Sequence, residues 1–427
     1  MAELVIPFAK PRGAEQLAQG GPEWLKAARL DALARFAATP VESSPLFIKH
    51  VMTDGAPLAD VELTAPAAPA PRPKPLEGAG LAAHALLNDG EVTGLHLSKE
   101  AASKGVVFTS LSAALETHAA LAAELMVAKG TDQRDKFFQL TRALFRDGVL
   151  LDIPAGVHLE GPVKVDIGQH APKVASFARV IVRLGKGASA EVLEAHASHG
   201  SGPAVAGVGC EVALGHDASL SYSAVGNFGP QVGVFVNRQA SLGERASMRW
   251  SLGNFGGSLT KSFTHTALEG NDSSVKHTEV VFGAQAQRFD VSSFVTHLGH
   301  RARSDVLARA ALRHKSRGNM KGMITIDNRG VNADSYLGQF SLLLDPEAKS
   351  VAIPGLEINT SQVIRAKHAA AVQQVDENQV FYLESRGIPG QTARRLIVEG
   401  FLHPVIAGIS SEEMRAEVHR LIQAKWD

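Results

Sequence analysis

The sequence predicts a mainly β protein, with a β-solenoid core between α-helical amino-terminal and carboxy-terminal regions. Three observations carry this. Short alternating runs recur at a near-constant step between residues 188 and 336, with no helical pattern between them. Glycine is plentiful, at 40 residues, while aromatics make up only 6% of the chain, a balance that suits closely stacked small-residue turns. Helical periodicity is confined to the stretches before 148 and after 375.

The amino-terminal region, 1–147, reads as largely helical. Within Glu23–Phe36, the residues Trp24, Ala28, Leu30, Leu33 and Phe36 fall roughly on one face, and Pro40 ends the pattern. Near 65–75, proline alternates with small residues. Proline fixes φ and lacks an N–H, so this stretch is expected to be an extended polyproline spacer. An alanine-rich helix is expected from Leu111 to Lys129. Another is expected from Asp135 to Arg146, where Phe137, Leu140, Thr141, Leu144 and Phe145 recur at helical spacing.

The texture changes at 148. Strand-like runs such as Val149–Pro154 and Ala178–Leu184 alternate with turns containing Gly, Asn or Asp. A degenerate repeat begins at Ala188, Ala218, Ala246, Ser273, Arg303 and Ala333, with steps of 30, 28, 27, 30 and 30 residues. Short strands at a constant step, without helices between them, are what a solenoid or stacked sheet produces, because each turn buries its face only against its neighbours. A β-sandwich is the alternative, since its strands also recur every ~8–12 residues. The length of the regular run favours a solenoid over 148–375.

The tail, 376–427, is helical again. Ser385-Arg386-Gly387-Ile388-Pro389 marks the switch, and Pro389 is acceptable in a first helical turn. Ala393, Leu396, Ile397, Gly400 and Phe401 then form an apolar stripe at i, i+3, i+4, i+7 and i+8, which Pro404 is expected to stop. A second helix opens at Ser410, with Glu413 completing a capping box, and runs through Met414, Val418, Leu421 and Ile422. Such helices either cap the solenoid or lay the stripe in a partner's groove, and periodicity leaves both open.

Composition narrows the function classes. Lys and Arg number 43 against 43 Asp and Glu, a zero balance that argues against a general nucleic-acid partner. No apolar run approaches the ~20 residues of a membrane span, so no membrane partner is expected. The start, Met1 to Phe8, lacks the pattern of a secretory signal, and the expectation is a cytoplasmic, reduced protein. The single cysteine, Cys210, excludes a disulfide framework and any four-thiolate site within one chain. In the apolar run Val208–Val212 it reads as a buried, inert thiol.

Conventional catalytic motifs are missing. The nearest piece to a phosphate loop, Gly185–Ser189, has the wrong spacing, so the chain is expected not to hydrolyse ATP. There is no nucleophile elbow and no His-Glu-x-x-His helix. The pairs His196/His199 and His297/His300 have no acidic or Cys partner at ligand spacing and read as exposed or hydrogen-bonded histidines. His368 ends the β region among small side chains, in Arg365–Val372. A neutral imidazole there suits iron, and the alternative is a surface histidine beside Lys367.

Asp376–Ile388 followed by Ala393–Phe401 closely resembles the carboxy-terminal signature of the SufB/SufD family, the non-ATPase subunits of the Suf iron–sulfur cluster assembly system. Asp135-Lys136-Phe137 with Asp147-Gly148, and Ile353–Ile358, extend the resemblance over about 135–402. The chain resembles the SufD side of the family. It has one cysteine, it carries Lys367-His368-Ala369 where SufB-like chains carry Glu-His-Glu, and the strand position of a SufB cysteine falls near Gln339.

The resemblance implies a right-handed parallel β-helix that acts as an assembly scaffold rather than an enzyme. It implies that a SufC-like ATPase docks on the tail, through Arg386, Gly387, Ala393, Leu396, Ile397, Gly400 and Phe401. It implies pairing with a SufB-like subunit, with a homodimer as another assembly. No cofactor is expected to bind tightly to the isolated chain. Transient iron or a nascent cluster would sit at the SufB interface, where His368 supplies an imidazole and SufB the thiolates. Ala366 and Ala369 stand where SufD chains usually have Cys and Gly beside that histidine. The competing expectation is a secreted-type carbohydrate-active β-solenoid enzyme, but the sequence shows neither a signal peptide nor a repeated acidic column.

Overall fold

The computed structural model describes residues 6–18, 21–63, 74–76, 80–127 and 135–426. Residues 1–5, most of the expected spacer and the end of the expected 111–129 helix lie outside them. Among the described residues no helix is long and apolar enough to cross a membrane.

The core is a parallel β-solenoid of about eight turns. Each coil sends one strand to each of two sheets. The first sheet stacks Asp147–Ile153, Val174–Leu184, Ala204–Leu214, Val232–Leu242, Leu259–Leu268, Arg288–His297, Arg317–Ile326 and Lys349–Ile358. The second stacks Val163–Gln169, Ser189–Ser198, Ser219–Asn227, Ser247–Asn254, Ser274–Gly283, Arg303–Leu312, Ala333–Leu343 and Val363–Gln374. Neighbouring coils pair in parallel, as a solenoid requires and an antiparallel sandwich does not.

The repeat in the sequence is the corner leading into the second sheet. Gly187, Asp217, Arg245, Asp272, Arg301 and Asn332 each turn the chain with φ between 53 and 66°. The next residue is always small and fully buried: Ala188, Ala218, Ala246, Ser273, Ala302 and Ala333. Strand register pairs Ser274 with Arg303 and Arg303 with Asp334. The fifth repeat therefore starts at Ala302, one residue before the Arg303 expected from the sequence.

Close approach explains Gly270 and Gly299, just before these corners. A Cβ on Gly270 would lie 2.0 Å from the Glu244 nitrogen, and one on Gly299 would lie 2.1 Å from the Gly270 oxygen. Successive coils touch there backbone to backbone.

The amino-terminal end is closed. The antiparallel hairpin Ala83–Asn88/Glu91–Leu97 joins the second sheet beside Val163–Gln169, and Val107–Ser110 pairs antiparallel with Asp147–Ile153. Strands thus occur in a region where the sequence suggested helices. The expected 111–129 helix breaks at His118 into Leu111–Thr117 and Ala119–Met126.

Two other helices cap each other. Arg29, on Glu23–Ala38, donates to the carbonyls of Ala143 (3.0 Å) and Phe145 (2.7 Å) at the end of Lys136–Leu144. Lys136 donates in return to Phe36 (2.5 Å) and Thr39 (2.9 Å). Each cation meets the carbonyl end of a helix, where the dipole favours it. This rotates the inward face of Glu23–Ala38. Leu25, Arg29, Ala32, Leu33 and Phe36 are buried, whereas Trp24, Ala28 and Leu30 are only half-buried.

The tail forms three helices, Glu377–Ser385, Gly390–Ile406 and Glu412–Ala424. Pro404 does not stop the second, which runs two residues further. Proline denies a partner only to the Gly400 carbonyl, and Gly400 is exposed, so water can satisfy it. The cap of the third helix is Ser411, which accepts from the Met414 N–H (3.3 Å). Ser410, the cap expected from the sequence, instead bonds to the Ser221 hydroxyl at 2.6 Å.

Val398, Leu402, Val405 and Val418 pack on Leu193, Phe255, Val280 and Phe282 of the solenoid. Arg309 donates to the Phe401 carbonyl and Arg313 to that of Lys425. The helices therefore lie along the flank of the second sheet and leave the last coil bare.

Gly270→Ala should destabilise the fold by about 3 kcal/mol, because backbone must move to admit the methyl group. Gly400→Ala, with nothing within 4 Å of its added Cβ, should stabilise by about 0.5–1 kcal/mol through helix propensity. Urea unfolding of both variants checks the contrast.

Candidate functional site

His368 lies on Val363–Gln374, the last strand of the second sheet, and is exposed. Register places Val192, Tyr222, Trp250, His277, Val306, Leu337 and His368 in one column. Equivalent residues of an in-register parallel stack point the same way. Every member before His368 is buried in the solenoid interior. His368 thus belongs to the interior column and meets solvent only because no further coil covers it. Lys367 pairs by register with Tyr336, on the opposite face of the strand.

One coil below this mouth lie polar groups whose burial the sequence did not predict. Gln339 pairs by register with Ala370. It is fully buried, and neither amide atom has a partner among the described residues; the Ser335 hydroxyl is in the same position. Leaving such groups unsatisfied costs about 1–3 kcal/mol each. Ser335, Gln339 and Ser341 alternate along the strand with Ala333 and Leu337 inward, and that alternation was the available signal.

The rim is an open sheet edge. Among the described strands, Lys349–Ile358 and Val363–Gln374 each pair on one side only. Their outer rows of N–H and C=O groups are a template for pairing with another chain. Ile358, Ile364 and Val372 stand exposed along them, Ile364 by 66%.

Among the described residues no three or more His, Cys, Asp or Glu side chains are grouped to hold a metal ion. His368 belongs to no such group. Cys210 cannot reach the mouth. It is wholly buried, and burial together with the negative Glu194 drives its thiol well above the usual range, so it stays a thiol. Glu194 itself is pushed up by burial, but His196 (2.8 Å), Arg238 and the Tyr222 hydroxyl (2.6 Å) outweigh this and hold it at about 2.

His196 is thus hydrogen-bonded inside the lumen, and His199 stacks on His170 at 4.6 Å. His297 is fully buried, with Nε2 at 2.8 Å from the Ser304 hydroxyl. Burial lowers it to about 4. His300 is exposed.

The structure divides the tail stripe. Ala393 is fully buried, and Ile397 and Phe401 are half-buried against the solenoid flank. Leu396 and Gly400 face outward, Leu396 with 46% exposure. A groove of about 610 Å³ lies between the last two helices, lined by Leu396, Gly400, His403, Ile406 and Arg415 among others. Exposed Phe381 and Tyr382 stand on the neighbouring helix, with Arg386 5.3 Å above the Tyr382 ring. Gly387, at φ 85°, makes the turn between the helices and lets the Ile388 N–H reach the Leu383 carbonyl (3.2 Å).

Residues 167–401 match the model of the SufBD core domain of SUF-system FeS cluster assembly, and residues 81–165 match that of the SufBD protein N-terminal region. The iron-sulfur cluster assembly protein SufD of Bacillus subtilis is 30% identical over 336 residues, covering 78% of this chain and 76% of that protein. An iron-sulfur cluster assembly SufBD family protein of Staphylococcus epidermidis is 25% identical over 340 residues, covering 79% and 73%. A Staphylococcus aureus protein of the same description gives the same figures.

His297 sets a pH dependence. Its folded value lies below the ordinary ~6.5 of an unfolded chain, so folding favours the neutral form. This contribution is complete above about pH 6.5 and is lost as pH falls toward 4. The urea midpoint should fall between pH 7 and 5, and His297→Gln should flatten that fall.

Proposed function

We propose a scaffold role for this chain, which belongs to the SufBD family of SUF-system iron–sulfur cluster assembly proteins. As a SufD-type, non-ATPase subunit it pairs through its bare last coil with a SufB-like chain and carries a SufC-like ATPase on its tail, in the cytoplasm. The observation that carries this reading is the asymmetry of the solenoid. One end is closed by antiparallel strands and helices, while the other presents two unpaired edges around His368.

An edge of that length is an aggregation hazard when free and an interface when paired. Pairing there would supply the missing backbone partners and cover Ile358, Ile364 and Val372. It would also bring another chain's ligands against His368. Iron or a nascent cluster is the cargo, not a resident group. Its thiolates come from the partner, because Cys210 is sealed and Ala366 and Ala369 carry no donor. His368 contributes one neutral imidazole, a donor suited to iron.

On the tail, the outward Leu396 and the aromatic pair Phe381 and Tyr382 provide the apolar anchors that a partner helix or loop seats upon. Ala393, Ile397 and Phe401 act from beneath, holding the docking helix on the solenoid.

Coexpression with SufB-like and SufC-like subunits tests both contacts. Full-length chain should recover both partners. Phe381→Glu with Leu396→Glu, both exposed, should lose the SufC-like subunit and keep the SufB-like one. His368→Ala should keep both subunits and lower reconstituted iron several-fold. Undiminished iron in His368→Ala, or SufC-like binding that survives the charged tail, contradicts the corresponding assignment.

A further inference from the structure

The outer face of the second sheet carries a polar groove of about 530 Å³ that ends at the last coil. Ser219, Ser247 and Ser274 follow one another by register, with Arg303 next. Arg249 and Lys276 stand beside them, two residues along neighbouring strands. The intervening Leu220, Met248, Val275 and Ser304 are buried, so these rows face outward.

The groove has an unbalanced charge. Among the described residues Arg249, Lys276 and Arg303 form no ion pair. Two other exposed arginines on the solenoid do: Arg245 holds Asp217 at 2.7 Å and Arg301 holds Asp272 at 2.7 Å. Arg365, at the groove's end, is already bound to Asp334 (2.6 Å). Asp305 is the one unpaired acid lining the groove among the described residues, which leaves an excess of two positive charges. Serine hydroxyls supply further donors, with Ser247 already turned onto Ser219 (3.0 Å).

Shape narrows the ligand. No aromatic ring lines the groove, so nothing stacks a base or a flat ring. It crosses six strands, from Ser219–Asn227 to Val363–Gln374, at roughly 4.8 Å per step, or about 24 Å. That length fits about seven residues of extended chain. One end is stopped by Ser410, bonded to Ser221, and the other opens at the bare last coil.

We infer that this groove docks an extended, acidic segment of a partner protein, whose carboxylates engage Arg249, Lys276 and Arg303. Such exposed pairs are individually weak and screened by salt, so binding rests on several acting together and is steeply salt-dependent. The inference does not rest on His368 or on the exposed Leu396, Phe381 and Tyr382 of the tail helices.

Fluorescence anisotropy of the full-length chain with a labelled heptapeptide of alternating Glu and Ser tests it. Binding should saturate at low salt and weaken tenfold or more in Arg249→Glu/Arg303→Glu. The milder Lys276→Gln should weaken it several-fold. Lys315→Glu, an exposed change elsewhere on the solenoid, should leave it unchanged. Circular dichroism establishes that each variant is folded. Absence of saturable binding, or binding indifferent to the charge reversals, overturns the inference. Displacement of the peptide by equimolar tripolyphosphate would also overturn it, in favour of a small-polyanion site.

Discussion

Successive coils of this chain stack so closely at the corners that one backbone touches the next. A Cβ at Gly270 or Gly299 would fall within 2.1 Å of the coil before it. That contact locks the coils in register, so each interior position becomes a column running the length of the solenoid. The corner residues Ala188, Ala218, Ala246, Ser273, Ala302 and Ala333 are all small and fully buried, in keeping with close packing between coils. Register in turn decides what faces in and what faces out. It sends His368 into the same column as Tyr222, Trp250 and Leu337, and it sends Arg249 and Lys276 to the opposite face.

A stack of this kind has two ends, and this chain treats them differently. Antiparallel strands pair with the first coil, while the reciprocally capped helices lie along the flank of the first sheet. The tail helices do not cover the last coil but lie on the flank of the second sheet. The last coil keeps its unpaired backbone, its exposed isoleucines and the orphan amide of Gln339 beneath it. On the proposed reading, a second chain added to the terminal coil would pair its backbone and cover its isoleucines. It would also account for an imidazole held at the mouth with no ligand set of its own among the described residues.

Much of this was legible in the sequence, for physical reasons. The repeat shows because every corner needs a small buried residue, and the tail shows because amphipathic helices repeat their apolar positions. The offset at Arg303 arose because a charged residue follows Ala302 at that corner and masks the small-residue pattern. The strands at 83–110 are short and close an end rather than repeat. The inward face of Glu23–Ala38 was misplaced because Arg29 is buried there by two carbonyls contributed from residues over a hundred positions away. His368 was legible as a position of interest. Its membership of the interior column, and the unsatisfied Gln339 below it, depend on cross-strand register that no local pattern encodes.

The central claim is that the last coil is an edge awaiting a second chain, and amide hydrogen exchange reads it most directly. In the free chain, amides of Lys349–Ile358 and Val363–Gln374 that face away from their one paired neighbour should exchange rapidly. In a purified complex with a SufB-like subunit they should slow by about 100-fold or more, with little change at the closed end. Unchanged exchange at both strands, in a complex verified to be intact, would contradict the claim.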